Sequence, residues 1–200
     1  MDEIVPLGNS FSSDDATARY QVEAKRKAIR KDLTWKEYLE SLSVQIDFRF
    51  SPDVNFERCA EMTRKTNQFN FTTIRRTRSE LEHLCNIHNK KLLQVSVSDN
   101  FGDYGITGLV ELSHSRNCVI VEQFLMSCRV LGRGVEEKIL EFLVSNVLKP
   151  TDERLILKFR RSEKNAPAAK LIQELTRASS VVSNSADLVF EKRSKKWILQ

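Results

Sequence analysis

Residues Arg129-Val130-Leu131-Gly132-Arg133-Gly134 follow an apolar run, Val119 to Met126, and open directly into a periodic stretch, Val135 to Val147. A strand, a glycine-bearing turn and a helix in that order make an anion-binding device. The turn leaves backbone N–H groups unpaired, glycine lets a ligand approach them, and the helix dipole favours negative charge. A pyrophosphate suits such a cradle: Gly132 and Gly134 would admit it, Arg133, Val135 and neighbouring amides would donate to it, and Arg129 would hold the turn or touch a phosphate. Leu131 belongs to the same turn. No Lys-Ser/Thr pair follows the second glycine, as a nucleotide-hydrolase phosphate loop needs, and no third glycine stands where a dinucleotide fold places one.

Other residues could take part in chemistry nearby. Glu122, and less readily Glu111, fall on central strands where a carboxylate can serve as a base, directly or through water; the alternative is a solvent-facing residue of an alternating strand. Cys128 beside the turn has no sequence-adjacent histidine to activate it and reads as a small packed residue. His83 and His88 are five apart and do not share a helix face, so no metal site is expected there. In the stretch Thr66 to Thr73, the amides Asn67 and Gln68 with Phe69 could line a substrate groove, or the phenylalanines could be buried beneath a packed loop.

Composition bounds these options. The chain has 200 residues, a net charge of +5 from 32 Lys and Arg against 27 Asp and Glu, and four cysteines without C-x-x-C pairing. That length buries a core without staples, and unpaired cysteines suit a reducing compartment. The basic residues are dispersed in short clusters with no aromatic stripe, so no nucleic-acid partner is expected. No run approaches the roughly 18 apolar residues of a membrane helix, and the first residues lack a signal peptide's basic and apolar regions. A cytoplasmic protein without membrane attachment is the expectation.

The elements that must position these groups can be read from periodicity. An exposed helix is expected at 15–30 and another at 34–42, where Thr34 and Glu37 have capping-box spacing; residues 1–43 then form a helical arm. From Val44 to Phe50 apolar and polar residues alternate, predicting the first strand of a domain spanning 44–200. Helices are expected at 55–66 and 79–88. Three strands follow, at 92–97, 106–112 and 118–126, with turns at 99–105 and 113–117, then the helix after the glycine turn. A strand at 154–159, a helix from Asn165 or Ala166 to Leu175, and strands at 187–191 and 196–199 complete the order. The fold class is therefore mixed α+β, a central and mostly antiparallel sheet flanked by helices.

Two family resemblances rest on these residues. The Arg-x-x-Gly-x-Gly spacing between a strand and a helix resembles the acyl-CoA pyrophosphate loop of the GNAT N-acyltransferases, and the element order is similar to a GNAT domain. More specifically, four stretches over roughly residues 40 to 170 resemble the carboxy-terminal GNAT-like domain of FkbH-like proteins of HAD-superfamily subfamily IIIC: Lys65-Thr66-Asn67-Gln68-Phe69-Asn70-Phe71-Thr72-Thr73 with Arg75-Arg76, Asp99-Asn100-Phe101-Gly102-Asp103-Tyr104-Gly105, Phe124 to Glu136, and Lys164-Asn165-Ala166-Pro167. The resemblance implies acyl-CoA, acetyl-CoA or acyl-phosphopantetheine as substrate, and an acyl carrier protein or a HAD-type glyceryl-transfer domain as partner. It implies a place in polyketide biosynthesis, including methoxymalonyl-type units. Phe124 and Met126 would lie where a GNAT strand splays from its neighbour and offers its backbone to pantetheine, or their side chains could simply be core, with Glu122 as base and Asn165 opening the next helix beside the cofactor.

The departures are as informative. No Asp-x-Asp pair occurs in the chain, so HAD phosphatase chemistry is not expected from it. Where a GNAT helix carries a tyrosine seven residues after its first Asn, to protonate the departing thiolate, this chain has Ile172. Three readings remain: an acyltransferase, a non-catalytic module that holds a carrier-borne acyl-pantetheine, or a structural remnant that binds neither CoA nor carrier protein.

Overall fold

A computed structural model describes residues 37, 41–152, 154–176, 185–193 and 196–199. The expected helical arm, with its helices at 15–30 and 34–42, lies almost wholly outside them. Among the described residues no helix is long and apolar enough to cross a membrane.

The alternation after Val44 becomes β1 (Gln45–Phe50), whose Ile46, Phe48 and Phe50 turn inward. Asn55 then caps α1 (Phe56–Lys65) by accepting the Arg58 amide at 2.9 Å, with Glu57 in the first turn and Arg64 and Lys65 in the last, as the helix dipole favours. Thr77 and Glu80 form a reciprocal capping box on α2 (Arg78–Cys85). Between these helices lies a two-residue strand, β2 (Phe69–Asn70), in the stretch expected to be a loop that either lines a groove or packs with its phenylalanines buried.

The meander is present with longer strands: β3 (Lys90–Asp99), β4 (Gly102–Ser115) and β5 (Cys118–Met126). Residues 103–105, expected in a turn, are strand, because they pair with Ser98 and Val97 across a hairpin whose tip is only Asn100 and Phe101. After the glycine turn comes α3 (Val135–Phe142), which passes into a π-helical turn over Leu143–Val147. The chain continues through β6 (Arg154–Arg160), α4 (Ala166–Thr176), β7 (Ser185–Arg193) and β8 (Lys196–Leu199).

The strands form one sheet in the order β1-β3-β4-β5-β6-β7-β8, with β2 added to β5. Every pairing is antiparallel except β5 with β6, joined by the α3 crossover. The mixed α and β architecture with a mostly antiparallel sheet is thus as expected. One core contains residues of α3 and α4 (Ile139, Leu143, Ala168, Leu171, Ile172), and a second contains residues of α1 and α2 (Cys59, Ala60, Met62, Leu81), so helices cover both faces.

The parallel pairing shapes the surroundings of the glycine turn. β5 and β6 are in register only from Cys118–Arg154 to Val121–Leu157. Beyond Val121 they diverge, leaving a V-shaped gap that ends beside that turn.

Candidate functional site

The gap between β5 and β6 is filled by the chain itself. β2 pairs with the last residues of β5, Phe69 opposite Met126 and Asn70 opposite Leu125. The Phe71 amide donates to the Phe124 carbonyl at 2.9 Å, Thr72 Oγ1 donates to the Glu122 carbonyl at 3.2 Å, and on the other side the Arg160 amide donates to the Phe71 carbonyl at 2.7 Å. Residues 69–72 therefore form a wedge that pairs with both strands. Their phenylalanines lock it from below: Phe71 packs on Phe124 and Phe159 with ring centroids 5.0 and 5.8 Å apart, and Phe69 meets Phe124 edge-on at 5.1 Å.

This wedge corrects several expectations. The backbone of Phe124 and Met126, expected to receive a pantetheine arm, is already hydrogen-bonded, and both side chains are core. Phe69 is core as well, not groove lining. Asn165 holds the wedge: its Nδ2 donates to the carbonyls of Asn70 and Arg160, both at 2.9 Å, and its Oδ1 accepts the Ser162 amide at 2.8 Å. Buried with its donors and acceptor engaged, Asn165 is a structural clamp rather than a cofactor ligand.

The turn after β5 begins with a 3-10 turn, Cys128–Val130. Gly132 and Gly134 have φ of +70° and +73°, which glycine tolerates and bulky residues resist, and nothing lies within 4 Å of where a Cβ would stand on either. The conformation is that of an anion cradle, but the cradle is occupied. The Gly132 amide donates to Glu136 Oε1 at 2.8 Å, and the amides of Val135 and Glu136 also pull on that carboxylate. Glu136 is only 8% exposed. Burial pushes its carboxyl above the usual range, and the neighbouring Glu137 adds to the rise.

The Arg133 side chain is engaged at the tip of the β3–β4 hairpin. Its Nη1 reaches Asp99 Oδ2 at 3.1 Å and the Tyr104 hydroxyl, and its guanidinium lies 4.7 Å from the Tyr104 ring centroid. Tyr104 in turn donates to Asp99 Oδ2 at 2.7 Å. The glycine turn is thereby latched to the tip of the β3–β4 hairpin. Leu131 is half-buried against the core, and Val135 is wholly within it.

Glu122 is not poised as a base. Burial pushes its carboxyl up, but hydrogen bonds from Lys158 Nζ and Ser113 Oγ, each 2.7 Å long, outweigh this and hold it below the usual carboxylate value of 4.5. Glu111 is buried under a two-pronged Arg76 contact, at 3.3 and 3.1 Å. The recess shared by Glu111, Glu122 and Arg76 is about 30 Å³, room for a water at most. Because the pair keeps Glu122 ionised, its contribution to stability is present above about pH 4.5 and is lost as pH falls through the lowered value. Lys158→Met should therefore raise the Glu122 pKa, read by carboxyl NMR titration; an unchanged titration would mean that Lys158 does not hold it.

A pocket of about 730 Å³ does open beside the turn. It lies between one face of α1 and the tip of β5, and it brings together Asn67, Gln68, Met126 and Arg129 from the expected set. Arg58, Glu61 and Lys65, one turn apart along α1, supply its charge. The Lys65 and Arg58 hydrogen bonds hold the Glu61 carboxyl down at about 2, so it stays ionised. Cys128 lines this pocket and is exposed, not packed as expected, because the 3-10 turn lifts it off the end of β5. No group of three or more His, Cys, Asp or Glu placed to hold a metal occurs among the described residues.

No protein-family model matches the chain, and no curated protein matches it by sequence. Solved structures resemble it. The ribosomal-protein-S18-alanine N-acetyltransferase from Escherichia coli shares 10% identity over 72% of this chain and 91% of its own, with a TM-score of 0.49. A chain described as a GNAT-family acetyltransferase from Desulfovibrio desulfuricans shares 12% identity over 72% of this chain and 96% of its own, also at 0.49. The spermidine N-acetyltransferase from Vibrio cholerae, in complex with CoA and spermine, shares 17% identity over 65% and 79%, at 0.44. All three are described as acetyltransferases. At these identities and scores the likeness assigns neither a family nor an activity to this chain.

The elements that decide the site carried weak signals. The wedge is four residues of alternation, Phe69-Asn70-Phe71-Thr72, shorter than a strand needs to be recognised. Glu136 reads as an ordinary acidic residue in the first turn of a helix. The α1 charges follow helical spacing, Arg58, Glu61 and Lys65, which is also the pattern of a solvated face.

Proposed function

We propose that this chain is a GNAT-like binding domain without acyl-transfer chemistry of its own, receiving the acyl end of a carrier-borne thioester in the pocket between α1 and the tip of β5. The observation that carries this reading is the wedge at residues 69–72, which occupies the backbone edge of β5 that a pantetheine arm would need. A second strand cannot pair with an edge already paired. Chemistry is also poorly provided for: Ile172 is packed in the core where a thiolate acid would stand, and Glu122 is ion-paired. General acid or base catalysis contributes about 10²- to 10⁴-fold, so their loss leaves a binder.

The pocket is of the size that holds small ligands, about 300–1,000 Å³. Arg58, Lys65 and Arg129 face the single carboxylate of Glu61, which favours an acyl group that carries hydroxyl or carboxylate oxygens. The carrier is an acyl carrier protein, the setting polyketide-type biosynthesis, and the working partner a HAD-type glyceryl-transfer domain, as the FkbH-like motifs imply. The acyltransferase reading retains one favourable observation, the open space above Gly132 and Gly134.

Incubation with acetyl-CoA and a panel of amines, alcohols and thiols, followed by release of free CoA, separates the two. The expected result is no release above background, together with saturable binding of an acylated carrier protein that Gln68→Trp abolishes by filling the pocket. Turnover of acetyl-CoA by the unmodified chain would restore the acyltransferase; absence of carrier binding would remove the module.

A further inference from the structure

One margin of the sheet is the outer edge of β1. The strand pairs with β3 on one side, and no other described strand pairs with it on the other. The Ser51 amide donates to the Leu92 carbonyl of β3 at 3.0 Å, which fixes the direction of the backbone groups before it. Successive residues of a strand aim their amide and carbonyl to alternate sides, so Gln45, Asp47 and Arg49 bond toward β3 while Ile46, Phe48 and Phe50 present theirs outward. Of these outward groups the Phe50 carbonyl is taken, by the Asp53 amide at 3.0 Å. The side chains divide in the same way. Asp47 and Arg49 stand exposed on one face, 2.9 Å apart. Ile46, Phe48 and Phe50 are half-buried on the other, with the Phe48 ring stacked on Phe142 at 3.8 Å. An unpaired edge is a template for another strand, and natural edges are commonly blunted by charge. Here the two charges have opposite signs and flank Phe48, so in one register they attract a copy of the same strand.

We infer that β1 is a docking edge for a second copy of this chain, the two strands joining antiparallel about a two-fold axis at Phe48. In a two-fold pair every contact recurs with the roles exchanged, so the position of the axis sets all the partners. An axis at Asp47 or at Arg49 places like charges opposite each other, and one at Ile46 or Phe50 leaves half of β1 with no strand facing it. At Phe48 the whole strand is matched: Phe48 faces the partner's Phe48, Ile46 faces the partner's Phe50, and Asp47 faces the partner's Arg49. The outward groups then meet. The Phe48 amide donates to the carbonyl of the partner's Phe48, and the Phe50 amide to the carbonyl of the partner's Ile46, each bond made twice by symmetry. Asp47 and the partner's Arg49 fall at a non-hydrogen-bonded position, where facing Cα atoms are only about 4.5 Å apart. Opposite charges attract there and like charges repel. This inference does not rest on the thioester reading.

A contact between two edge strands is small, under about 1,200 Å² in total, and weak, so the mass of the chain is read by sedimentation from about 1 μM to 1 mM. The unaltered chain should pass from one copy to two across that range. Asp47→Arg and Arg49→Asp, each at a side chain more than half exposed, should each weaken dimerisation by about 10- to 100-fold. Mixed together, the two variants should dimerise with each other as the unaltered chain does with itself, because two arginines then face two aspartates. A folding defect cannot produce that recovery. Hydrogen exchange assigns the edge: the amides of Ile46, Phe48 and Phe50 should slow as concentration rises, whereas those of Asp47 and Arg49, already directed to β3, should not. A single copy at every concentration overturns the inference. So does a dimer that persists unchanged in both single variants, which would use another face, or a mixture that dimerises no better than its components.

Discussion

Phe71→Ala is expected to lower folding stability by about 3–5 kcal/mol, the range for truncating a fully buried phenylalanine, and to lower the thermal midpoint by roughly 6–20 °C for a domain of this size. Phe71 is wholly buried against Phe69, Phe124 and Phe159, so its removal leaves a cavity under the wedge that the three surrounding strands cannot close together. Denaturant unfolding monitored by circular dichroism measures this. Asn165→Ala should add to the damage by less than its own single effect, because both residues hold the same four-residue segment and are coupled through it. A loss below about 1 kcal/mol for Phe71→Ala, typical of a poorly packed loop, would mean that residues 69–72 do not seal the gap, and the backbone edge of β5 would again be available to a ligand.

Arg133→Ala is the second large effect. The side chain of Asp99 is fully buried and that of Arg133 is 14% exposed, so this is an interior ion pair reinforced by stacking on Tyr104. Removing one partner of a buried pair costs about 3–5 kcal/mol, because the other charge stays in a poor solvent. Asp99 would still accept from Tyr104 at 2.7 Å and from the Phe101 amide at 2.8 Å, which places the loss near 3 kcal/mol, the low end of that range. Arg133→Ala/Asp99→Asn should recover part of it by removing the stranded charge. The measurement is equilibrium unfolding of both variants at low and high salt, and the pair's burial predicts little salt dependence. If Arg133 were instead a surface phosphate ligand, its alanine variant would unfold like the unaltered chain and lose only anion binding.

The two effects bear on how much of the molecule was legible in its sequence. The alternation Ile46, Phe48, Phe50 placed β1, and the periodicity of residues 55–66 placed α1, because both patterns repeat long enough to separate period two from period 3.6. The strand–turn–helix unit around Gly132 and Gly134 was equally clear, since only glycine fits comfortably at those positive φ values. The occupant of that unit was not. Reading the turn as a set of donors left out the anion two residues beyond it, Glu136, whose direction depends on a left-handed N-cap that sequence does not display. The Asp99–Tyr104–Arg133 contact joins residues 34 and 29 apart, and no local pattern connects them. The end of β5 was read as an open strand because the segment that closes it comes from before α2, 50 residues away at Thr72 and Glu122.

The wedge has a mechanical consequence. Without it, the strand pairing between the half of the sheet made of β1, β3, β4 and β5 and the half made of β6, β7 and β8 would be a seam of four residue pairs, leaving the shared core as their main tie. Residues 69–72 stitch across that seam, with one contact spanning 95 residues of chain between Asn70 and Asn165. Closing so long a loop costs little more entropy than closing one half its length, since the cost grows only with the logarithm of the span. The stitch therefore ties the two half-sheets through backbone as well as through core, so that opening one edge of the seam disturbs the other.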